Sequence, residues 1–281
     1  MSKWSIWHKK LDADNLEIIS SYFADIANLS FYYGEFPESE KYAYLTPLLK
    51  KGEDPDKFSS YRPLYKTSLL SKFLEKCVLK QLNYHISKFD CLPWFQSAYR
   101  EFHSVETALS RVHNDLYKVK TQNHRSILIL LDLSSAFDTI DRKLLLEDLE
   151  GWGINGKALQ WIHSYLSNRK FRVTIDEIQS DEGIMQFGVP QGTILGPVLF
   201  IIYTSSLQNV LKELEVSFHL YADDTQIYFE LSNIHDDKQK IKDIGDAVDA
   251  WMKDRKLKMN AGKTKIMVIG RNELGQKVLF R

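Results

Sequence analysis

The chain has 281 residues, of which 44% are apolar and 26% charged, with thirteen glycines and seven prolines. That composition excludes a disordered tail or a low-complexity array and predicts one compact, lobed body with a substantial core. Thirty-seven basic residues balance thirty-seven acidic ones; net charge therefore neither argues for nor excludes a polyanionic partner, and the bases gathered at Lys50-Lys51, Arg169–Arg172 and Asp254–Lys265 allow a basic groove on a neutral protein.

From the N-terminal end, Leu16, Ile19, Phe23, Ile26 and Leu29 recur at helical spacing until Gly34 and Pro37 stop the pattern. A strand-like run follows at Tyr42–Leu49, then a polar loop over Lys51–Ser60. Leu70, Phe73, Leu74, Cys77, Val78 and Leu82 mark an amphipathic helix. Val105, Ala108, Leu109, Val112 and Leu116 mark another, with Ser104 as its N-cap. Ile127–Leu131 is continuously apolar, as a central strand covered on both faces should be, and it ends at Asp132. Helices are predicted over Arg142–Glu150 and Lys157–Leu166, and a hairpin from Phe171–Ile175 and Ile184–Phe187. Gly188-Val-Pro-Gln-Gly192 reads as a permissive loop. A helix through Leu195, Val198, Leu199, Ile202 and Tyr203 follows it, with Pro197 in its first turn. Val216, Phe218 and Leu220 alternate up to Tyr221-Ala-Asp-Asp224, and Ile227 and Phe229 lead away, so the two acids sit at a hairpin tip. A helix holding Ile241, Ile244, Val248 and Trp251, a polar turn Asn260–Lys263 and a strand Ile266–Ile269 complete the pattern.

The longest apolar runs fall far short of the roughly 20 residues that cross a bilayer. The first ten residues lack the apolar core of a secretory signal, and Cys77 and Cys91 sit in no metal-binding or redox spacing. These features predict an intracellular protein, of cytoplasm or nucleus, with no membrane partner.

One aspartate at the end of a buried strand and two at a hairpin tip form the leading constellation. Bare carboxylates brought together repel and raise one another's pKa, so such a cluster makes sense chiefly around divalent cations. Hard oxygen donors suit Mg²⁺ or Mn²⁺ and not zinc. Two such ions about 3.5–4 Å apart can activate an attacking hydroxyl and stabilise the leaving oxygen of an in-line phosphoryl displacement. For the Asp-Asp pair alone, a solvated turn is the competing reading.

The order Leu130-Leu-Asp-Leu-Ser-Ser-Ala-Phe-Asp138, Gly188-Val-Pro-Gln-Gly192 and Tyr221-Ala-Asp-Asp224 resembles the three central motifs of reverse transcriptases. The likeness runs from about Leu45 to Gly270 and is specific to the non-LTR, LINE-type retrotransposon branch, particularly the CR1/jockey-like elements. Further matches are Thr46-Pro-Leu-Leu-Lys-Lys51, Tyr61-Arg-Pro63, Leu70-Ser-Lys-Phe-Leu-Glu-Lys76, Gln96-Ser-Ala-Tyr-Arg100, His103-Ser-Val-Glu-Thr-Ala-Leu109 and Leu257-Lys-Met-Asn-Ala-Gly-Lys-Thr264.

The resemblance implies an α+β, right-hand polymerase with an antiparallel palm sheet covered by helices on the face away from nucleic acid. An N-terminal extension and fingers would occupy 1–93, palm 94–150, a fingers insertion 151–187 and a second palm segment 188–281, with the thumb largely absent. It implies RNA-directed DNA synthesis from an RNA template, a DNA or RNA primer and dNTPs. Asp132, Asp223 and Asp224 would hold two Mg²⁺ or Mn²⁺ ions, with the Leu133 carbonyl as an extra ligand. Lys50 and Arg62 would reach the incoming triphosphate. Phe137 would exclude a 2′-hydroxyl by clash, or serve as a core aromatic. Gln191 and Gly192 would pack beneath template base and nucleotide, or form an ordinary strand-to-helix turn. Lys263 would protonate departing pyrophosphate, or be a plain turn lysine.

Family members usually carry glycine and phenylalanine where this chain has Ala98 and Tyr99. They also carry a small polar or proline-containing stretch where it has Tyr65-Lys-Thr67. The family's primer-grip strand and thumb are expected to be missing or barely begun, and the endonuclease domain that such elements carry is expected to be absent. Two other readings compete: an inactive retrotransposon-derived fragment that only binds RNA or RNA–DNA duplex, and an RNA-dependent RNA polymerase, against which Phe137 and Ala222 speak.

Overall fold

The computed structural model describes residues 13–92, 95–100, 102–133, 136–260 and 262–270. The first twelve residues of the expected fingers, Ser134 and Ser135 of the first carboxylate motif, Ala261 of the polar turn and the segment beyond Gly270 lie outside that description. In chain order the elements are α1 (Ala13–Tyr33), β1 (Tyr42–Leu49), β2 (Tyr61–Lys66), α2 (Leu69–Lys88), α3 (Val105–Thr121), β3 (Ser126–Leu131), α4 (Ala136–Thr139), α5 (Arg142–Gly151) and α6 (Gly156–Leu166). Then come β4 (Lys170–Ile175), β5 (Ile178–Gln179), β6 (Gly183–Ile184), α7 (Gly196–Thr204), α8 (Leu207–Glu213), β7 (Ser217–Tyr221), β8 (Asp224–Glu230), α9 (Ile234–Asp254) and β9 (Lys265–Ile269). α3 and α5 start at side-chain caps. Ser104 accepts from the Thr107 N–H while the Thr107 hydroxyl accepts from the Ser104 N–H, and Asp141 accepts from the N–H groups of Lys143 and Leu144. No helix among the described residues is long and apolar enough to cross a membrane.

The chain divides into two compact units, one comprising the residues up to Val78 with Gly153–Met185, the other Leu79–Trp152 with Gln186 onward. In the first, the sheet runs β2-β1-β4-β5, with β6 also on β4. β1 pairs antiparallel with β2 and parallel with β4, Tyr42 lying opposite Lys170. The sequence pattern names no strand at β2 because Pro63 interrupts it; Pro63 is tolerated because β2 is the sheet's edge, opposite Pro47. The predicted hairpin is corrected too. β4 meets only Gly183 and Ile184 of the return segment, and Phe187 is not in a strand. The Phe171 ring lies over Gly183 so closely that a Cβ there would come within 2.8 Å of it, and β4 takes β1 as its main neighbour. An aromatic cluster packs α1 against α6. Trp161 stacks on Tyr165 at 5.7 Å, Phe36 meets both edge-on, and the Trp161 indole N–H donates to Ser30 at 2.8 Å. Buried Arg169 lies over the rings of Tyr165 and Phe36 and donates to the Tyr165 carbonyl at 3.0 Å.

The second unit is built on a four-stranded antiparallel sheet, β7-β8-β3-β9. Ile127, Ile129 and Leu131 lie opposite Phe229, Ile227 and Thr225, so they share one face; all six are buried. Leu128 and Leu130 lie opposite Tyr228 and Gln226 on the other face, and this alternation carries Asp224 and the position after Leu131 to that same side. Helices are expected over the face away from nucleic acid; one helix, α3, lies on the side that carries Asp224. α3 packs Val112 and Leu116 onto Leu128 and Tyr228, and the Tyr228 hydroxyl donates to Asp115 at 2.8 Å. α3 thus covers part of that face, with Leu130 and Ile269 packed against the same cluster. Beyond the sheet, Arg255 pairs with Asp148 and donates to the buried Tyr203 carbonyl at 2.8 Å, while Lys256 pairs with Asp141.

Candidate functional site

β3 delivers Asp132 as the first residue past its end, half-buried, and the β7–β8 turn delivers Asp223 and Asp224 beside it. β3 and β8 are neighbouring strands, and Leu131 lies opposite Thr225, so the acids emerge at one end of one sheet. The electrostatics agree with that proximity. Desolvation pushes the Asp224 carboxyl above the ordinary carboxylate range, and the charges of Asp223 and Asp132 push it further, although its outer side opens to solvent.

The turn itself is strained. Tyr221 pairs with Asp224, leaving a two-residue loop in which Ala222 takes the left-handed conformation, φ +55°. An L-residue there costs about 1–2 kcal/mol. Gln96, 1% exposed, supports it: its Oε1 accepts from the N–H of Ala222 at 3.2 Å and of Ala98 at 2.9 Å. The segment holding Gln96 lies parallel against β7, with the Leu220 N–H donating to Phe95 and the Ser97 N–H to the Leu220 carbonyl. Tyr99, also left-handed, follows; desolvation and then the charge of Asp223 raise its phenol pKa.

The Lys263 turn is tied to the first acid through the backbone. The Asn260 N–H donates to the Asp132 carbonyl at 2.9 Å, and the Lys263 N–H donates to the Asn260 carbonyl at 3.1 Å; the Lys263 side chain is exposed. Leu133 is buried and bridges antiparallel to Met259.

A second cluster joins α4 to the 188–192 loop. The Phe137 carbonyl accepts from the Val189 N–H at 2.9 Å, and the Ile140 carbonyl from Gly188 at 2.8 Å. Gly188, at φ +78°, fits where a Cβ would lie 2.7 Å from the Phe137 carbonyl oxygen. Phe137 is half-buried and stacks on Phe200, ring centroids 4.6 Å apart. Gln191 donates to Asp138 at 3.2 Å; burial raises that carboxyl to about 6 despite the hydrogen bond. Gly192 is exposed in the turn beside it. Lys50 and Arg62 belong to the other unit, on the β1–β2 hairpin, where Arg62 is exposed opposite Leu48 and Lys50 donates to the Ser59 carbonyl.

The second unit therefore brings Asp132, Asp223, Asp224 and the Lys263 turn together, and joins Phe137 to the Gln191 loop. The residues assigned no role from the sequence are Gln96, Asp138 and Tyr99. Gln96 stood in a matched motif, but only the parallel bridge to β7 reveals its partner. The oxygen donors of the acid cluster suit a hard divalent cation, and every contribution to the Asp224 shift is one that a bound cation would oppose. Among the described residues, no three His, Cys, Asp or Glu side chains close on one point as a finished ion cage.

Comparison with known proteins follows the same line. The chain matches the family described as reverse transcriptase (RNA-dependent DNA polymerase) over residues 48–278. It is 30% identical over 247 residues to the RNA-directed DNA polymerase from mobile element jockey of Drosophila funebris, covering 86% of this chain and 27% of that protein. It is 26% identical over 254 residues to the probable RNA-directed DNA polymerase from transposon BS of Drosophila melanogaster, with the same coverage. A solved structure of apo telomerase from Candida tropicalis superposes with a TM-score of 0.62 at 15% identity, covering 92% of this chain and 50% of that one. That likeness speaks to the fold alone, and it is a polymerase-type fold of mixed α and β structure. The chain belongs to the reverse transcriptase (RNA-dependent DNA polymerase) family, and its relatives place it with the jockey-like non-LTR retrotransposons. It spans 27% of the length of those curated relatives.

Proposed function

We propose that this chain carries the nucleotidyl-transfer centre of a non-LTR retrotransposon reverse transcriptase, extending a DNA or RNA primer with dNTPs on an RNA template. The observation that carries this reading is the set Asp132, Asp223 and Asp224, brought to one end of one antiparallel sheet and close enough for two of the acids to raise the pKa of the third. On this reading the palm, 94–150 and 188–281, falls in the second unit, and most of the fingers, 1–93 and 151–187, in the first.

Asp132, Asp223 and Asp224 would hold two Mg²⁺ ions, or Mn²⁺, with the Leu133 carbonyl as a further donor. Bound there, the ions supply charge stabilisation for an in-line displacement at the α-phosphorus. The chain's own groups do the rest. The carboxylates orient the site; Phe137, its ring backed by Phe200, stands as a wall against a 2′-hydroxyl; Gln191, its amide held by Asp138, supports the nucleotide with Gly192 beside it. Arg62 and Lys50, on the β1–β2 hairpin of the first unit, carry charges suited to a triphosphate. The exposed ammonium of Lys263, on a turn tied to the Asp132 backbone, donates a proton to the pyrophosphate oxygen as it departs. Its substrates would place the reaction inside the cell, in cytoplasm or nucleus.

The test is Mg²⁺-dependent extension of a labelled DNA primer on an RNA template. Elongation with dNTPs in preference to rNTPs supports the proposal. Salt-sensitive RNA binding with no elongation by the folded chain would replace it with a binding fragment; preference for rNTPs would replace it with an RNA-dependent RNA polymerase.

A further inference from the structure

The β7–β8 hairpin leaves the Ala222 N–H without a partner of its own. In a two-residue loop closed by Tyr221 and Asp224, the cross-strand hydrogen bonds are made by the flanking residues, and the amides between them point away from the ladder. Ala222 also holds a left-handed conformation without glycine's freedom to adopt it. The support from outside the hairpin is the buried side chain of Gln96, its Oε1 shared between the Ala222 and Ala98 N–H groups. The grip is anchored from behind: Leu220 exchanges backbone hydrogen bonds with Phe95 and Ser97, the Ser97 hydroxyl lies 2.9 Å from His219 Nε2, and the Phe95 ring packs on Phe218 at 4.4 Å.

We propose that Gln96 is a positioning residue of the acid site: its side-chain carbonyl fixes the Ala222 turn and thereby aims Asp223 and Asp224 at their cation. This rests on the proposed role of the three aspartates as metal ligands. The physical reason for a glutamine is specific. Its oxygen accepts two backbone N–H groups in a buried place, which an apolar side chain of the same reach cannot do.

The consequence is a division between acceptor and shape. Gln96→Leu fills nearly the same space but has no acceptor; Gln96→Glu keeps the acceptor. Mn²⁺ binding to the full chain, read by loss of the free-ion electron paramagnetic resonance signal, reports on the acids without requiring turnover. Gln96→Leu should weaken Mn²⁺ binding about tenfold, the scale of one buried hydrogen bond, and Gln96→Glu should bind no more weakly than the parent. Circular dichroism melts of each variant establish that it is folded; if Gln96→Leu does not fold, Gln96→Glu still decides, since weaker binding by a folded Gln96→Glu overturns the proposal. Equal binding by Gln96→Leu and the parent overturns it as well, leaving the acid site intact. If the parent takes up no Mn²⁺, or if Asp224→Asn binds as well as the parent, the metal-ligand reading fails, and this inference with it.

Discussion

Both units contain ion pairs, Lys41 with Glu38 and Lys170 with Glu182 in the first, but they set their arginines in different company. The first surrounds a buried cation, Arg169, with aromatic faces and a backbone carbonyl, and its centre of gravity is the Trp161–Tyr165–Phe36 cluster. The second confronts its cations with carboxylates: Arg255 with Asp148, Lys256 with Asp141, and an acid cluster at the end of its sheet. Stacking and shape are nearly indifferent to pH, whereas carboxylates in crowded places are not. Asp138, Asp141, Asp148 and Asp224, whose carboxyls are held away from their ordinary pKa, lie in the second unit, so the stability of the unit that carries the proposed chemistry should titrate through them.

The largest expected effect is on chemistry. Asp132→Ala should lower primer extension at least about a thousandfold while leaving the melting curve close to the parent's, because the residue is only half-buried and lies past the end of β3. Next comes Trp161→Ala in the first unit, which removes a ring that is 2% exposed together with its hydrogen bond to Ser30. It should cost about 3–5 kcal/mol in denaturant unfolding, with little change between pH 5 and pH 8.

Smaller, pH-dependent effects belong to the second unit. Burial raises the folded pKa of Asp138 to about 6, above its unfolded value. The folded state therefore binds that proton more tightly, and stability falls as pH rises from about 4 through 6. Asp138→Asn removes this loss, so its melting temperature should rise relative to the parent at pH 8 more than at pH 5; an equal shift at both would contradict the burial account. Asp141 has the opposite sign. Its hydrogen bond to Lys256 leads in holding its pKa below the ordinary value, so it stabilises above the unfolded pKa and that contribution is lost as the pH falls through the folded one. Asp141→Asn keeps an N-cap for α5 but loses the ion pair, and should cost about 0.5–1 kcal/mol at neutral pH, less in acid, by thermal unfolding.

The same contrast marks what could be read in the sequence. Elements set by local pattern were legible: α3 with its Ser104 cap, the unbroken apolar run of β3, and the β7–β8 hairpin that carries Asp223 and Asp224. What depends on distant pairing was not. β2 was hidden by Pro63, and β4 finds its parallel partner β1 more than a hundred residues upstream, so the local hairpin that its sequence suggests is only partly formed. At the site, the acids announce themselves by their motif. Their supports do not: Asp138 beneath Gln191, and Gln96 beneath Ala222, act through partners that only the fold brings within reach.

The most direct measurement of the central claim is extension of a DNA primer on an RNA template in Mg²⁺, with the parent chain beside a folded Asp223→Ala/Asp224→Ala double variant. The account predicts templated DNA product from the parent and none from the double variant. Equal product from both would contradict it, because the acids at the hairpin tip would then not be the site of chemistry.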